Sequence, residues 1–366
     1  MRYIGNKTRL LPFLTGILRR LGLPPGTAHD AFAGTAVVGR TLKAAGWRVA
    51  SSDLMTYSYV FQRAYVVASR RPSAARLAAA DPLVRRALQS PALRARANGH
   101  GSLGLLAAYL THALAPEAGF VTRHFSPAGE RMYFTEQNAG RIDAARGALH
   151  RWRTEGAVDD DTYYLLLAAL LEGADRVANT AGVYAAFIKQ WQPNAHRPLA
   201  LAPELPLRGR GSTAHLGDAA EAAAALGPVD LLYVDPPYNG RQYAGYYHVP
   251  EVIARGWFDG EPTLRGKTGL LGAAAPRSDW CVSRRARRAL EGLLAATGAR
   301  HVLVSYNSEG LLPDAVMREV LGAAAADGRV RRFVKAYRRY RADRDHERRR
   351  YRGDEVRELL YYARLR

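Results

Sequence analysis

The apolar run Val229-Asp230-Leu231-Leu232-Tyr233-Val234 runs straight into Asp235-Pro236-Pro237-Tyr238. The run reads as a buried strand. Two prolines cannot continue a strand, so the chain must turn sharply at that point. The turn presents an acid, a rigid backbone and an aromatic ring at the carboxyl end of the strand. In open α/β sheets that end is where ligands bind. The combination suits a planar base held by its exocyclic amino group. Asp235 can accept one N–H, a backbone carbonyl fixed by the prolines can accept the other, and Tyr238 can stack on the ring. Taken alone, the same four residues also fit a plain Pro-Pro turn that leaves a strand.

The chain has 366 residues, enough for two or three lobes around a large core. Its 53 Lys and Arg against 33 Asp and Glu give a formal charge of +20. Such an excess favours a polyanionic partner, because each cation on a phosphate releases condensed counterions. Heavy use of arginine throughout the sequence accounts for part of the same excess. No apolar run reaches the roughly 18 residues that a membrane span needs. Met1-Arg2-Tyr3-Ile4-Gly5-Asn6-Lys7 lacks the apolar core of a signal peptide. Cys281 is the only cysteine, so no disulfide framework or cysteine-based zinc site can form within the chain. No metal is expected, and a reducing cytoplasm is the natural setting.

The periodicity predicts a helix from about Lys7 to Leu21, broken by Pro24-Pro25-Gly26. A strand over Thr27–Phe32, a tight turn at Ala33-Gly34-Thr35-Ala36, a helix over Val37–Ala45 and a strand over Arg48–Ser52 ending at Asp53 make a βαβ unit. Its crossover should be right-handed. From about Ser69 to Arg210, Arg/Ala-rich helical stretches alternate with Gly/Pro breaks, and Tyr163–Asn179 is a strongly apolar helix. The α/β rhythm then returns with a helix over Ala219–Leu226, the strand 229–234, a helix over Arg284–Ala296 and a strand over Arg300–Tyr306. Two β-like segments, 331–340 and 356–363, flank a charged loop and predict an edge hairpin. One α/β lobe is thus interrupted by a mostly helical insert. The expected division is 1–68 and 212–366 for the α/β part and 69–211 for the insert.

Asp30-Ala31-Phe32-Ala33-Gly34-Thr35 follows the first strand. Gly34 allows a ligand close to the backbone, and the helix start behind it offers free N–H groups. Neither G-x-G-x-x-G nor G-K-[ST] is present, so the loop is no dinucleotide fingerprint and no P-loop. Asp53 ends the next strand, where a carboxylate can accept two ribose hydroxyls. A helix cap explains Asp53 equally well by itself. Gly34 and Asp53 together in one βαβ unit favour a nucleoside-containing cofactor. Asp218 either faces that cofactor or caps the helix that begins at Ala219. Asn239, Arg241, Tyr243, Tyr246, Tyr247 and His248 crowd the segment after Tyr238. Aromatics interleaved with polar donors suit an extruded nucleotide, although some of these tyrosines must pack in the core. His248 reads as a packing or hydrogen-bonding residue. Ser305-Tyr306-Asn307-Ser308 ends another strand on the same edge and walls the pocket. No H-E-x-x-H and no G-x-S-x-G occurs. Cys281 follows Trp280, so the Pro-Cys nucleophile that attack on a ring carbon requires is missing.

Together these residues resemble the D12-class DNA adenine methyltransferases, the Dam-like and type II modification enzymes. The likeness covers nearly the whole chain. Tyr3, Gly5, Asn6 and Lys7 look like the amino-terminal cofactor motif, although many members carry a second glycine where Asn6 stands. Asp30, Phe32, Ala33, Gly34 and Thr35 look like the methionine-binding loop. Asp53, with Leu54 beside it, looks like the ribose-binding acid. Asp235, Pro236, Pro237 and Tyr238 look like the catalytic motif. The stretches 120–146 and 182–191, with Lys189, are similar to target-recognition segments. The resemblance implies a Rossmann-like methyltransferase sheet with helices on both faces, S-adenosyl-L-methionine as donor, double-stranded DNA as substrate and base flipping. It also implies contacts to cofactor from Asp218 and to DNA or the target base from Asn239, Arg241, Tyr243 and Tyr246. A bacterial cytoplasmic setting and a separate cognate endonuclease go with it. Adenine N6 is the favoured target. Cytosine N4 offers the same acceptors an equivalent amine, and a non-catalytic DNA-binding protein on the same scaffold is the reading from another class.

Overall fold

The structure, a computed structural model, describes residues 1–97, 99–209, 211–273, 275–338 and 355–366. The chain forms two compact units: one of Gly5–Gln62, Gly209–Gln242 and Pro276–Arg366, the other of Met1–Ile4, Arg63–Arg208 and Tyr243–Ala275. The expected divisions at 68/69 and 211/212 lie a few residues from these limits. Residues 243–275 are a correction, because they belong with the helical unit and not with the α/β part. The reason is packing. Tyr247 stacks on Tyr3 at 4.8 Å, and the helix His248–Arg255 ends on the Arg146 guanidinium, whose Nε donates to Ile253 O at 2.8 Å.

The α/β unit is built on strands β1 (Thr27–Asp30), β2 (Arg48–Asp53), β3 (Thr213–Leu216) and β4 (Pro228–Val234). In the helical unit, β5 (Leu264–Arg265) and β6 (Leu270–Leu271) form a minimal antiparallel pair. The sheet continues in β7 (Gly298–Asn307), β8 (Arg331–Arg338) and β9 (Glu355–Arg364). Its seven strands are ordered β3-β2-β1-β4-β7-β9-β8. Every pairing from β3 to β7 is parallel, and β9 runs antiparallel to both of its neighbours. The expected hairpin therefore sits at the edge, but only β8 is an edge strand; β9 is inside the sheet.

Leu231, Leu232, Tyr233 and Val234 are all buried, the mark of a strand covered on both faces. On one face Leu232, Val234, Val302, Val304, Leu359 and Tyr361 meet the helices Ala219–Leu226, Ser283–Ala296 and Asp314–Ala324, through Ala223, Leu290, Leu293 and Met317. The helix Leu11–Arg20 covers the other face at the hairpin end, where Lys335 stands over the Phe13 ring at 5.6 Å. Strand order reverses between β1 and β4: the chain goes from β1 to β2 on one side of the row and from β4 to β7 on the other. The carboxyl ends of those two strands are the topological switch point where open α/β sheets take their ligands. They carry Asp30 and, one residue past β4, Asp235.

The helical unit contains Glu136–Thr154 and Asp160–Val177. Both begin on a side-chain cap: Thr135 Oγ accepts Asn138 N–H at 3.2 Å, and Asp159 Oδ1 accepts Thr162 N–H at 2.7 Å. Residues 163–171 are buried without a break, so this helix is the core of its unit.

Candidate active site

Asp235 leaves β4 half-buried, and Pro236 is buried behind it. The turn is pinned by the segment after β7: Leu311 N–H donates to Tyr238 O at 3.1 Å, and Tyr306 meets the Tyr238 ring edge-on at 5.3 Å. Of Ser305-Tyr306-Asn307-Ser308, expected to wall this pocket, Tyr306 lies against the Tyr238 ring. Tyr238 OH donates to Asp235 Oδ1 at 2.5 Å. The Lys7 ammonium reaches Asp235 Oδ1 at 3.1 Å and Glu358 Oε1 at 2.5 Å, and also donates to Tyr238 OH. Burial pulls the Lys7 ammonium down, but the carboxylates of Asp235 and Glu358 outweigh it and leave its pKa raised. Burial pushes the Asp235 carboxyl up to about 6, with Lys7 opposing and Glu358 assisting. Below that value Asp235 is a neutral acid; above it, a strong acceptor for an N–H.

The loop after β1 has its own acid. Asp30 is buried and accepts Gly39 N–H at 2.9 Å through Oδ2, which ties the strand end to the first turn of the helix Val37–Ala44. Burial raises its carboxyl to about 7, with the Asp235 charge adding to it. Its Oδ1 is buried without a hydrogen-bond partner. Gly34 has φ +52°, the left-handed conformation the tight turn needs, and its N–H donates to Asp53 Oδ2 at 2.9 Å. Asp53 Oδ1 accepts Met55 N–H at 2.9 Å. The carboxylate therefore joins the loop after β1 to the end of β2 and stays half-buried. Ala33 is buried, while Phe32, Thr35 and Leu54 are half-buried; Phe32 packs edge-on against Trp280 at 5.0 Å. Asp218 caps its helix, accepting Ala220 N–H at 2.8 Å through Oδ1. The capping reading is thus seen in the structure, and a contact to cofactor stays an expectation for the same carboxylate.

The remaining expected site residues divide between the units. In the α/β unit, Gly5 is left-handed at φ +78°, Asn6 Oδ1 caps Thr8 N–H at 2.8 Å, and exposed Asn239 accepts Arg241 N–H at 3.0 Å. Lys7, expected in the cofactor motif, has its ammonium on Asp235, Tyr238 and Glu358. In the helical unit, half-buried Tyr3 and Tyr243 pack at 5.5 Å, Tyr246 is buried and Lys189 is exposed. His248 is buried between the carbonyls of Thr268 (2.8 Å) and Gly245 (3.4 Å), and burial lowers its pKa to about 4. It is a packing residue, as its surroundings in sequence indicated. Two contributors went unread. Gln242 exchanges two hydrogen bonds with the Ser278 backbone at 2.8 and 3.0 Å, and Glu358 closes the Lys7 cluster. Neither belongs to a local motif.

Six strands in one direction with a single reversed strand inserted beside the edge, and an acid-Pro-Pro-Tyr turn at the switch point, define the Rossmann-like methyltransferase class. Residues 3–271 match the family described as D12 class N6 adenine-specific DNA methyltransferase. The type II methyltransferase M.NlaIII of Neisseria lactamica is 34% identical over 95% of this chain and 95% of its own length. The type II methyltransferase M.CviAII of Paramecium bursaria Chlorella virus 1 is 30% identical over 99% of this chain and 97% of its own. M.FokI of Planomicrobium okeanokoites is 31% identical, but the chain spans only 52% of its length. The chain belongs to the D12 class of N6 adenine-specific DNA methyltransferases. Of the target atoms the sequence left open, adenine N6 is therefore the one methylated, and cytosine N4 is set aside. No helix among the described residues is long and apolar enough to cross a membrane.

Proposed function

We propose that Asp235 and the Pro236 carbonyl accept the two N6 hydrogens of an adenine swung out of duplex DNA, with Tyr238 stacked on the base. The observation that carries this reading is the position of Asp235: an acceptor with a pKa of about 6 at the switch point, on a turn too rigid to move away. Hydrogen bonds from N6 to two acceptors draw its lone pair out of ring conjugation and aim it. Extrusion of the base costs a few kcal/mol, roughly, and binding to the pocket must offset it. Pro237 keeps the turn rigid. Orientation supplies most of the rate, because two reactants are held in line as if in one molecule.

The donor we assign is S-adenosyl-L-methionine, which supplies a methyl group activated on a sulfonium. The residues present fit it. Asp53 is a half-buried carboxylate at the end of β2, an acceptor type that suits ribose hydroxyls, the Phe32–Thr35 turn brings backbone close through Gly34, and the buried Asp30 carboxyl stands at the start of the same loop. Gly5, Asn6 and Leu54 flank these positions in the proposal. The helical unit, with Lys189, Tyr243 and Tyr246, reads a specific sequence in the major groove, and Asn239 and Arg241 contact the target strand. The role assigned here is modification beside a separately acting endonuclease; the printed names of the relatives, type II methyltransferases, support that reading.

The test is single-turnover transfer of tritiated methyl groups to unmethylated genomic DNA by Asp235→Asn. Transfer falls by a factor on the order of 100 or more, while donor and DNA dissociation constants stay near wild type. Turnover within tenfold of wild type would reject the assignment.

A further inference from the structure

Glu358 lies outside the residues 3–271 that carry the family match, on the one strand that runs against the rest of the sheet. It is 5% exposed. Its Oε1 accepts Lys7 Nζ at 2.5 Å and Ser305 Oγ at 2.7 Å, and stands 3.4 Å from Tyr238 OH. The same Lys7 ammonium is 3.1 Å from Asp235 Oδ1. One cation is thus shared between two carboxylates and sits closer to Glu358. A buried carboxylate is costly unless it is paired and hydrogen-bonded, and this one is paired only with the lysine that also touches Asp235.

We infer that Glu358 is a positioning residue for methyl transfer: by drawing the Lys7 ammonium onto its own Oε1, it fixes Lys7 against Asp235 and Tyr238 and keeps the Asp235 carboxylate, once ionised, a stronger acceptor for an amino hydrogen. This rests on the assignment of Asp235 as acceptor. With the charge of Glu358 removed, the ammonium would settle on Asp235 alone. A carboxylate neutralised at contact range is a weaker base and a weaker acceptor. The groups that face Asp235 are Lys7, Glu358 and Tyr238, with Tyr233 on its own strand and Asp30 on β1. Glu358 is faced by Lys7, Tyr238 and Ser305. In register opposite Glu358 on β8 is Lys335, whose ammonium is over the Phe13 ring. Among these groups Lys7 is the cation in contact with both acids. Its division between them sets how strong an acceptor the Asp235 carboxylate is.

Glu358→Gln keeps the shape and removes the charge. With tritiated S-adenosyl-L-methionine and unmethylated genomic DNA, the single-turnover rate should fall on the order of ten- to a hundredfold, the scale of a misplaced reacting group. Donor and DNA dissociation constants should stay within about threefold, since Glu358 contacts neither in this reading. The acid limb of the rate profile should move to lower pH, because Glu358 is one of the groups that hold the Asp235 carboxyl up. A wild-type rate overturns the inference, and so does a lower rate with the acid limb in place, which is the outcome of a purely structural role. If Glu358→Gln does not fold, Ser305→Ala decides. It releases one side of the same carboxylate and should cost severalfold in rate with donor affinity retained; a wild-type rate overturns the inference. Asp235→Asn with full turnover would instead overturn the acceptor assignment, whereas an inactive Asp235→Asn beside an unaffected Glu358→Gln removes only the role of Glu358.

Discussion

Asp30 and Asp235 are carboxylates of the same sheet edge whose burial works against ionisation, and the consequences separate. Asp235 must be ionised to accept an N–H, so methyl transfer should rise with pH through about 6 and level off above it. A rate profile flat from about pH 5 to 8 would contradict an acceptor of that pKa. Asp30 bears on stability. Its folded-state value of about 7 lies above the ordinary 3.8, so the folded chain holds a proton that the unfolded chain has lost. Its contribution to stability is therefore full below about 3.8 and is lost as pH rises through about 7. Asp30→Asn keeps the acceptor for Gly39 N–H and removes the charge. Its melting temperature should gain on wild type between about pH 5 and pH 8; a difference independent of pH would show that Asp30 is not ionising in the fold. Asp53→Ala acts on binding. Loss of an acceptor for ribose hydroxyls should weaken donor binding by about 1.5–3 kcal/mol in calorimetry, and an unchanged affinity would remove Asp53 from the donor site.

At the scale of elements, the helix Ser283–Ala296 shows how the site edge is held. Leu290 and Leu293 are fully buried against the sheet, while Arg284, Arg285, Arg287 and Arg288 face solvent. That split is the amphipathic pattern legible in the sequence. Leu290→Ala removes buried methyl groups from a packed interface and should cost about 2–5 kcal/mol. Urea denaturation giving less than about 1 kcal/mol would mean that the core around β4 and β7 collapses into the gap. The β8–β9 hairpin is the opposite case. Its strands were predicted from β-like composition, but composition does not say which strand is the edge. β9 takes the inner place, with Leu359, Leu360, Tyr361 and Ala363 buried, and β8 is left with exposed Val334.

For the whole molecule, a formal charge of +20 predicts DNA affinity that falls steeply with salt. Each phosphate neutralised should contribute roughly −0.9 to the slope of log K against log salt. A slope near zero in filter binding or fluorescence anisotropy would contradict a basic DNA-binding face. Arg338, Arg339, Arg348 and Arg349 are candidates for such contacts on their charge and place in the sequence; the last three lie outside the described residues.

The α/β rhythm, the βαβ unit and the Asp-Pro-Pro-Tyr turn were legible because each is written in consecutive residues: a run of apolar side chains, a glycine in a tight turn, two prolines that must end a strand. The helix over residues 219–226 was legible to the residue for the same reason. What the sequence could not settle depends on which distant segments become neighbours. That Asp218 caps its helix through Oδ1 on Ala220 N–H is visible only in the structure. Residues 243–275 follow the catalytic turn in the chain yet pack with the helical unit. Lys7 and Glu358 are 351 positions apart and meet at one oxygen, because β9 reverses and enters the sheet beside β7. Local stereochemistry determined the elements and the motif; sheet order, a property of the whole chain, decided which charges surround it.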